Sequence, residues 1–438
     1  MEKIKEIKNN QLYYNGVSLL SLAKEYKTPL KVTFLDVIKK RVSTLKDSFD
    51  KAIKECNYHG KFIYLNANKA NYGLEEVETS FISGDGLETS SYYDLKFTYE
   101  LFKKHNDMHD KLIVCNGYKL DDYIKEIIDI HNDGNNIINI IDSLEEYEAL
   151  KQSKLKLNVG LRIHLESQYC EEGEREDDRF GITDKEFAYI LDDMKNTNLI
   201  FSTIHFHQRG FDYEEDKFTI NFKKVFANYL VKAKRLYPSV VNFDMGGGTP
   251  LPIDNNFDYD KWAKYVIGIL KEQCEKYKID DVNLISENGK YSQKDATLNI
   301  YKVVGRKETG EYPWCILDGS ILIAIPEHYA LGEPIEIEVV NDLDKEMVQS
   351  RLAGITCDCD DVWFHKDLGY FNVPKSEEVY IVLLGTGSYQ NSMNGKGGIH
   401  HCLLPEEKDI VISSDNTIKV RKNLQSIDEI LSIMQFKK

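Results

Sequence analysis

The stretch Tyr64-Leu-Asn-Ala-Asn-Lys-Ala-Asn71 places one lysine, Lys69, after a short apolar run and before a small residue and an amide. A lysine held at the end of a β-strand can carry the aldehyde of a cofactor as a Schiff base. The chain has 56 lysines and arginines, and most such residues are ordinary surface charges. The assignment of Lys69 therefore depends on the motifs around it.

Apolar, β-rich runs alternate with amphipathic segments through the first two thirds of the chain, which is typical of a parallel sheet with crossover helices. Segment 121–130 carries apolar residues at intervals of three and four and is predicted to be helical. The predicted strands are 61–65, 87–89, 112–115, 137–141, 158–163, 200–205, 240–244 and 282–286. Eight strand and helix units in about 250 residues predict an α/β fold, a (β/α)8 TIM barrel over residues 35–300.

The sequence changes in character after residue 300. Runs rich in Val and Ile, such as 334–340 and 379–384, are separated by turn residues. This pattern predicts a C-terminal, mostly antiparallel β-domain over residues 301–438, built as a β-barrel or sandwich. Residues 1–34 include a short strand and turn at 11–16 that fit neither a barrel unit nor a linker. We expect this N-terminal segment to join the β-domain.

Charge and cysteine usage exclude several classes of protein. The formal net charge of −16 disfavours nucleic acid as a partner. The first ten residues are too charged for a signal peptide, and the longest apolar run, 321–325, is too short to span a bilayer. The 8 cysteines are scattered, as reduced thiols are. A cytoplasmic protein that binds neither nucleic acid nor membrane is expected.

Candidate functional residues follow the predicted strands at their C-terminal ends, where a TIM barrel carries its chemistry. They are Lys69, Glu88, Arg162, His205, His207, Gly246, Gly247, Gly248 and the segment 286–290. The three glycines let backbone N–H groups approach an anion, in a place where barrels commonly bind phosphate. A lysine that carries an aldehyde and a phosphate site together indicate pyridoxal 5′-phosphate. Glu287 would keep the pyridine nitrogen protonated, so that the ring could stabilise a carbanion.

Nine short strings occur in the order found in one enzyme family. They are Asn68-Lys-Ala-Asn71, Gly86-Leu-Glu-Thr-Ser90, Cys115-Asn-Gly-Tyr-Lys119, His205-Phe-His207, Asp244-Met-Gly-Gly-Gly248, Ser286-Glu-Asn-Gly289, Ile325-Pro-Glu-His328, Thr356-Cys-Asp-Cys-Asp360 and Gly387-Ser-Tyr-Gln390. The chain resembles the fold type III, alanine racemase-like decarboxylases that depend on pyridoxal phosphate. Within them it is most similar to the biosynthetic arginine decarboxylases.

The resemblance implies a set of cofactor contacts within the barrel. Lys69 would form the Schiff base, with Glu88 paired to it or to its surroundings. His207 would stack on the ring, and Glu287 would bind the pyridine nitrogen. Arg162 would lie near the phenolic side. The phosphate group would be bound by Gly246, Gly247, Gly248, Lys290 and, from the β-domain, Tyr389.

The resemblance also implies a head-to-tail homodimer with shared active sites. Cys357 of the partner subunit would protonate the product Cα, while Asp358 would bind the cationic end of the substrate, with Asp361 also on the substrate side. A carboxylate pairs selectively with a guanidinium, and a nearby thiol can donate a proton. Alternatively, Cys357-Asp-Cys359 could be half of a metal site or a buried thiol pair. The sequence has no second cluster with ligand spacing, so no metal is predicted.

Three positions depart from the family pattern. His207-Gln-Arg-Gly210 replaces the usual Gly-Ser pair, so a serine contact to phosphate is missing and Arg209 is introduced. Lys290 stands where the family has arginine, and it would meet the phosphate as a point charge. Cys359 replaces a more common serine or glycine. Arg209 is a candidate substrate-binding residue, since it could bind an extra carboxylate, which arginine lacks.

The predicted function is decarboxylation of a cationic L-amino acid, with L-arginine, giving agmatine and CO2 in polyamine biosynthesis, as the preferred substrate. Ornithine, lysine, diaminopimelate or a carboxylated polyamine are the alternatives within the decarboxylases. An amino-acid racemase would need a catalytic tyrosine from the second domain and a non-acidic partner for the ring nitrogen, which Glu287 disfavours. A non-catalytic carrier of pyridoxal phosphate would resemble the barrel alone.

Overall fold

The computed structural model describes residues 4–165, 179–208, 215–252, 257–333, 335–363, 370–395 and 397–436. The chain divides into two compact units. Lys39–Tyr291 forms the first unit, called the barrel unit below. Met1–Ile38 and Ser292–Lys438 together form the second, called the β-domain.

The strands are numbered in chain order. They are β1 (Lys5–Lys8), β2 (Gln11–Tyr14), β3 (Val17–Ser18), β4 (Leu30–Phe34), β5 (Phe62–Ala67), β6 (Gly86–Thr89), β7 (Leu112–Cys115), β8 (Ile137–Ile141), β9 (Asn158–Arg162), β10 (Ile200–His205), β11 (Asn242–Asp244), β12 (Asn283–Asn288), β13 (Thr297–Lys307), β14 (Trp314–Leu317), β15 (Glu336–Val339), β16 (Met347–Ala353), β17 (Val362–Trp363), β18 (Phe371–Pro374), β19 (Tyr380–Leu384), β20 (Lys408–Ile412) and β21 (Ile418–Lys422).

The α-helices are numbered in the same way. They are α1 (Leu19–Tyr26), α2 (Leu35–Cys56), α3 (Leu74–Ser83), α4 (Tyr92–Lys104), α5 (Asp121–Asn132), α6 (Leu144–Ser153), α7 (Asp184–Asp193), α8 (Glu215–Val225), α9 (Val231–Leu236), α10 (Tyr259–Tyr277), α11 (Lys290–Gln293), α12 (Ile321–Ala324), α13 (Pro326–Leu331), α14 (Gln390–Asn394) and α15 (Ile427–Ile433). Among the described residues, no helix has an apolar run long enough to cross a bilayer.

Strands β5 to β12 close into an eight-stranded barrel in which every neighbouring pair is parallel. Each corresponds to one of the predicted strands, so the prediction of a TIM barrel is confirmed. Strand β8 is buried along its whole length, as expected of a strand covered on both faces. The barrel core includes Leu65, Val114, Ile138 and Ile285. Segment 121–130 is helical, within α5, as its apolar spacing predicts.

The register of the barrel brings residues that are distant in sequence to one end. Ala67 of β5 is opposite Glu88 of β6. Arg162 of β9 is opposite His205 of β10, which is in turn opposite Asp244 of β11. Because the strands are parallel, the loops after these residues share the C-terminal face of the barrel.

The β-domain contains a three-stranded sheet, β1-β2-β3, and a ten-stranded sheet around the long strand β13. Most pairs are antiparallel, and the exceptions are β14 with β16 and β20 with β4. Strand β4 pairs with β13, so the N-terminal segment joins this domain as predicted. The unit already begins at Ser292, whereas the predicted barrel extended to residue 300. The reason is that Thr297–Lys307, apolar enough for a barrel strand, pairs with β4, β14 and β19 instead.

Candidate active site

A cavity of about 610 Å³ lies at the C-terminal ends of the barrel strands. This volume is within the range of cofactor and ligand pockets. The lining consists of Lys69, Glu88, Ser90, Asn116, Gly117, Tyr118, Asp142, Arg162, Arg179, Phe180, His205, His207 and Glu287. The structure thus brings together six of the candidate residues, namely Lys69, Glu88, Arg162, His205, His207 and Glu287.

Lys69 lies in a single 3-10 turn, Asn68–Ala70, directly after β5. The preceding Asn68 is fully buried, and its Nδ2 donates to Asp94 Oδ1 at 3.0 Å and to Thr98 Oγ1 at 2.9 Å. Its Oδ1 accepts a hydrogen bond from Asn66. These bonds tie the turn to the start of α4. The half-buried lysine is therefore held at the cavity by its neighbour in the motif.

Two buried carboxylates share one amide donor. Asn116 Nδ2 donates to Glu88 Oε1 at 3.0 Å and to Glu287 Oε1 at 2.7 Å. Burial raises the pKa of Glu88 to about 7, although the charge of Lys69 opposes this shift. Asn116 lies in the string Cys115-Asn-Gly-Tyr-Lys119, but the sequence alone predicts no role for it. The role depends on the proximity of β6, β7 and β12, which no local signal reveals.

Glu287 lies among ionisable groups that favour its charged form. Burial alone would raise its pKa, but His205, Lys69 and Asn116 outweigh burial and lower it to about 2. Asp244 is fully buried, and burial together with the charge of Glu287 raises its pKa well above the ordinary value. His205 Nε2 lies 3.6 Å from Glu287 Oε2, beyond hydrogen-bond distance. The surroundings therefore favour the charged form of Glu287 and the protonated form of Asp244.

The same three side chains have the residue types of a metal site. Possible ligand atoms of His205, Asp244 and Glu287 lie within 4.8 Å of one another. Burial also lowers the pKa of His205, against the opposing effect of Glu287. The protonated state favoured by Asp244 opposes metal binding, because a carboxyl ligand must lose its proton.

The glycine segment after β11 makes close backbone contacts. Gly246 and Gly248 have φ values of +68° and +100°, which favour glycine. The N–H of Gly246 donates to Asp244 Oδ1 at 2.9 Å. The N–H of Gly247 donates to His207 Nδ1 at 3.2 Å. Two of the three predicted phosphate donors are thus already bonded within the barrel unit.

His207 packs tightly against this segment. A Cβ added to Gly246 would lie 2.6 Å from His207 Nδ1, so the close approach requires glycine. Burial, together with the positive charges of Lys69 and Arg162, lowers the pKa of His207 to about 3. The half-buried imidazole lines the cavity, as a ring-stacking residue must.

One wall of the cavity is basic. The Arg162 side chain is 12% exposed, and its Nη1 lies 3.5 Å from Asp142 Oδ1. Its guanidinium lies 4.3 Å from the ring centre of Phe180, and that of Arg179 lies 4.8 Å from the same centre. Sequence analysis missed Arg179 because it belongs to the long connection between β9 and α7, which shows no periodic pattern.

The predicted residues Cys357, Asp358 and Asp361 belong to the β-domain. Cys357 is exposed, and its Sγ lies 3.5 Å from Cys402 Sγ. Asp358 is half-buried, with its Oδ2 3.1 Å from His401 Nε2. The predicted Arg209 lies outside the described residues.

Asp361 has a different environment from the one predicted. It is 1% exposed, and its carboxylate accepts hydrogen bonds from Ser320 Oγ at 3.1 Å, Leu322 N at 3.0 Å and Thr356 Oγ1 at 2.7 Å. The structure thus shows a structural role for this carboxylate, and its role in substrate binding stays a prediction. The carboxylate joins the loop before β17 to the start of α12.

The two remaining phosphate candidates lie in different units. Lys290 begins α11 and is half-buried in the barrel unit. Tyr389 is half-buried in the β-domain, with a φ of +64° that is unusual for tyrosine. Each keeps its candidate role as a prediction.

The cavity has the chemical groups that pyridoxal phosphate requires. Lys69 supplies the amine, Glu287 an ionised carboxylate, and His207 a flat ring. Buried polar atoms in the lining also lack hydrogen-bond partners among the described residues, as they would if a polar ligand completed the site. They are Glu88 Oε2, Asn116 Oδ1, His205 Nδ1 and His205 Nε2.

Comparison with known proteins gives a consistent result. The family model described as "Pyridoxal-dependent decarboxylase, pyridoxal binding domain" matches residues 35–293. A biosynthetic arginine decarboxylase of Prochlorococcus marinus is 27% identical over 325 residues, 66% of this chain and 48% of that protein. The corresponding enzyme of Shewanella denitrificans is 23% identical over 321 residues, 66% of this chain and 50% of its own. The chain thus spans about half the length of the curated relatives it matches.

Solved structures share the fold along nearly the whole chain. The biosynthetic arginine decarboxylase of Campylobacter jejuni gives a TM-score of 0.86 at 19% identity, covering 100% of this chain and 91% of its own. A diaminopimelate decarboxylase of M. jannaschii gives 0.81 at 21% identity, covering 98% and 97%. The family model covers more than half of the chain, and the cavity fits the cofactor that its description names. The chain therefore belongs to the pyridoxal-dependent decarboxylases and uses pyridoxal phosphate as its cofactor.

Proposed function

We propose that this protein decarboxylates L-arginine to agmatine and CO2. The observation that carries the proposal is the ionised Glu287 in one cavity with Lys69. A carboxylate at the pyridine nitrogen favours loss of CO2, because it keeps the ring a strong electron acceptor. Arginine is preferred to other cationic amino acids because several similar proteins are named biosynthetic arginine decarboxylases.

The residues of the cavity divide the chemical work. When bound, pyridoxal phosphate supplies an aldehyde for the substrate amine and a ring that accepts the electron pair left by CO2. Lys69 would hold that aldehyde between turnovers and would free the product amine by taking its place. Glu287, with a pKa of about 2, remains ionised at neutral pH and would favour the protonated form of the ring nitrogen. Glu88, with a pKa of about 7, can take or give a proton near Lys69.

The phosphate group is assigned to residues after the last two barrel strands. The N–H groups of Gly246 and Gly247 are bonded to Asp244 and His207, so these glycines mainly provide room. Gly248 and Lys290 are the proposed phosphate ligands of the barrel unit, and Tyr389 is proposed to reach the phosphate from the β-domain. Arg162 is proposed to face the phenolic side of the ring, since its guanidinium lines the cavity.

Protonation of the product is assigned to a partner subunit. Among the described residues, no cysteine lines the cavity of the barrel unit. The thiol of Cys357 is exposed and Asp358 is half-buried, so both could meet the active site of a second copy. In the proposed homodimer, Cys357 of the partner subunit protonates Cα and Asp358 of the partner subunit binds the guanidinium.

The surface near the cavity supports this dimer. Three large side chains follow β6 and β7 and are strongly exposed, namely Tyr93 at 80%, Tyr118 at 66% and Leu120 at 68%. Exposed apolar groups that cluster at one end of a fold commonly mark a protein interface. A second copy that covered them would also exclude water from the cavity.

A substrate with an additional carboxylate is the second candidate. Arg179 shares the basic wall of the cavity with Arg162, and its guanidinium could bind such a group. Diaminopimelate and a carboxylated polyamine meet this description, whereas ornithine and lysine do not.

We also propose a role in polyamine biosynthesis and a cytoplasmic location.

Release of CO2 from a panel of amino acids tests the function. Arginine, ornithine, lysine and diaminopimelate are compared at equal concentration, and optical activity is followed in parallel. We expect arginine to give the highest kcat/KM. Preferred turnover of diaminopimelate would favour the second candidate, racemisation without CO2 would indicate a racemase, and no turnover of any substrate would indicate a carrier.

Lys69→Ala tests the cofactor site itself. The variant is expected to lose the visible absorbance of bound cofactor and all activity. Lys125→Ala is the matched control, because the Lys125 side chain is 75% exposed and pairs with Asp129 one turn further along the same helix. An unchanged spectrum in Lys69→Ala would contradict the assignment.

A further inference from the structure

A second cavity lies wholly within the β-domain. Its volume is about 70 Å³, room for about five waters or a small organic ion. Strands β4, β13 and β20 contribute Lys31, Asn299 and Asp409 to its lining. Helix α12 contributes Ile323, and the segment before β20 contributes Leu404. The lining therefore combines charged groups with an apolar wall.

Four carboxylates line this cavity, and two of them are matched by basic side chains. They are Asp318, Glu406, Glu407 and Asp409. Arg421 donates to both oxygens of Asp409, at 2.9 and 3.0 Å. Lys422 pairs with Glu406. These two carboxylates are thus neutralised within the protein.

The other two carboxylates are held mainly by neutral donors. Asp318 accepts hydrogen bonds from Thr28 Oγ1 at 2.5 Å and from the backbone N–H of Lys302 at 2.9 Å. Glu407 accepts hydrogen bonds from Asn299 and Tyr301. Among the described residues, Lys31 is the one cationic side chain in the lining. The described lining thus has one lysine for these two carboxyl groups, and burial raises the pKa of both, so a bound cation would favour their ionised forms.

A buried histidine provides an independent sign of a ligand. His400 lines the cavity, is 9% exposed, and its Nε2 has no hydrogen-bond partner among the described residues. Burial lowers the pKa of His400, which favours the uncharged ring. An uncharged imidazole can offer a nitrogen lone pair to a donor. A buried polar atom without a partner is costly unless a ligand or water completes it.

We propose that this cavity binds a small alkylammonium or alkylguanidinium ion, held by the carboxylates of Asp318 and Glu407, with His400 Nε2 as a further acceptor. Such ions donate several hydrogen bonds and accept none, which matches a lining rich in acceptors. Their alkyl part suits the wall formed by Ile323 and Leu404. The site is independent of the reaction proposed at Lys69.

The affinity should depend on pH through Glu407. Burial raises the pKa of Glu407 to about 7, against the hydrogen bonds from Tyr301 and Asn299 and the charge of Lys31. A bound cation favours the ionised form, so affinity is expected to fall as the pH decreases below about 7. The other titratable groups that face Glu407 across the cavity are Asp318, His400, Glu406 and Asp409.

Calorimetric titration of the full-length holoenzyme with methylguanidinium chloride, at constant ionic strength, tests the proposal. We expect saturable binding that is roughly 10- to 100-fold weaker in Glu407→Gln, the loss typical of one hydrogen bond to a charged group. Glu346→Gln is the matched control, since Glu346 is 72% exposed in the same domain, and it should bind as the wild type does. Urea, a neutral molecule of similar size, should not bind.

A second variant separates this cavity from the proposed substrate site. Asp358→Asn should retain binding of methylguanidinium. Loss of binding in Asp358→Asn together with retention in Glu407→Gln would place the ion at the substrate site and overturn the proposal, as would no binding by the wild type. If Glu407→Gln does not fold, a crystal of wild-type protein soaked with methylguanidinium decides the matter. Density for the ion in the cavity supports the proposal, and an empty cavity refutes it.

Discussion

Replacement of Asn116 by leucine tests the electrostatics of the cofactor site. Leucine has the same branched arrangement of heavy atoms as asparagine but donates no hydrogen bond. Asn116 Nδ2 donates to Glu287 Oε1 at 2.7 Å and to Glu88 Oε1 at 3.0 Å. Both carboxylates are buried, so water does not replace either bond. The variant therefore removes two hydrogen bonds, while the cavity that Asn116 lines has room for the larger side chain.

The two carboxylates respond differently to this loss. Glu88, with a pKa of about 7, takes up a proton at neutral pH at little cost. Glu287, with a pKa of about 2, stays ionised at neutral pH, because its protonation would cost about 1.4 kcal/mol for each unit by which the pH exceeds the pKa. It then lacks a bond worth roughly 1.5–3 kcal/mol. Leucine also removes Asn116 Oδ1, a buried acceptor without a hydrogen-bond partner among the described residues, and this removal offsets part of the destabilisation. We expect a net loss of about 2 kcal/mol.

Thermal unfolding of the cofactor-free protein at pH 7 measures this effect. A loss of about 2 kcal/mol corresponds to a decrease in Tm of roughly 4–8 °C for a unit of this size. The deficit should be larger at pH 9 than at pH 6, because Glu88 is ionised above its pKa and then also needs the lost bond. Asn198→Leu is the control, since this exposed amide donates only to the Lys154 carbonyl oxygen. Equal Tm values for the two variants would refute the reasoning.

Three further predictions concern the reaction and the β-domain. Glu287→Gln should lower kcat roughly 100-fold with cofactor still bound, because a neutral amide does not stabilise a protonated ring; an unchanged kcat would contradict its role. Mixing the inactive variants Lys69→Ala and Cys357→Ser should restore about one quarter of wild-type activity, since half of the dimers then have one intact shared site; no recovery would exclude shared sites. Asp361→Asn should lower stability by about 2 kcal/mol without raising the KM for arginine, and a higher KM at unchanged Tm would restore its predicted substrate role.

The barrel could be predicted because its signals are local. Each strand is a short apolar run, and each candidate residue follows such a run at a fixed position in the unit. Lys69 and Glu287 were identified in this way, although they are 218 positions apart in the sequence. The closed parallel topology then brings them together without any further information from the chain.

The contacts that sequence analysis missed depend on the meeting of distant segments. Asn116 is recognisable only when β7 lies between β6 and β8 and its amide reaches across to Glu287. The surroundings of Asp361 could not be predicted because Ser320 and Leu322, which donate to its carboxylate, are distant in the sequence. Arg179 precedes an isolated bridge between Ile163 and Ile182, and no periodic pattern marks its place.

The bond between Gly247 and His207 also determines the tautomer of the imidazole. A backbone N–H can only donate, so His207 Nδ1 must be the acceptor and the ring proton resides on Nε2. With a pKa of about 3, the ring keeps this single proton throughout the physiological range. The histidine that is predicted to cover the cofactor thus keeps the same tautomer and the same neutral charge across this pH range. Any acidic limb of the pH–rate profile near neutrality must arise from another group.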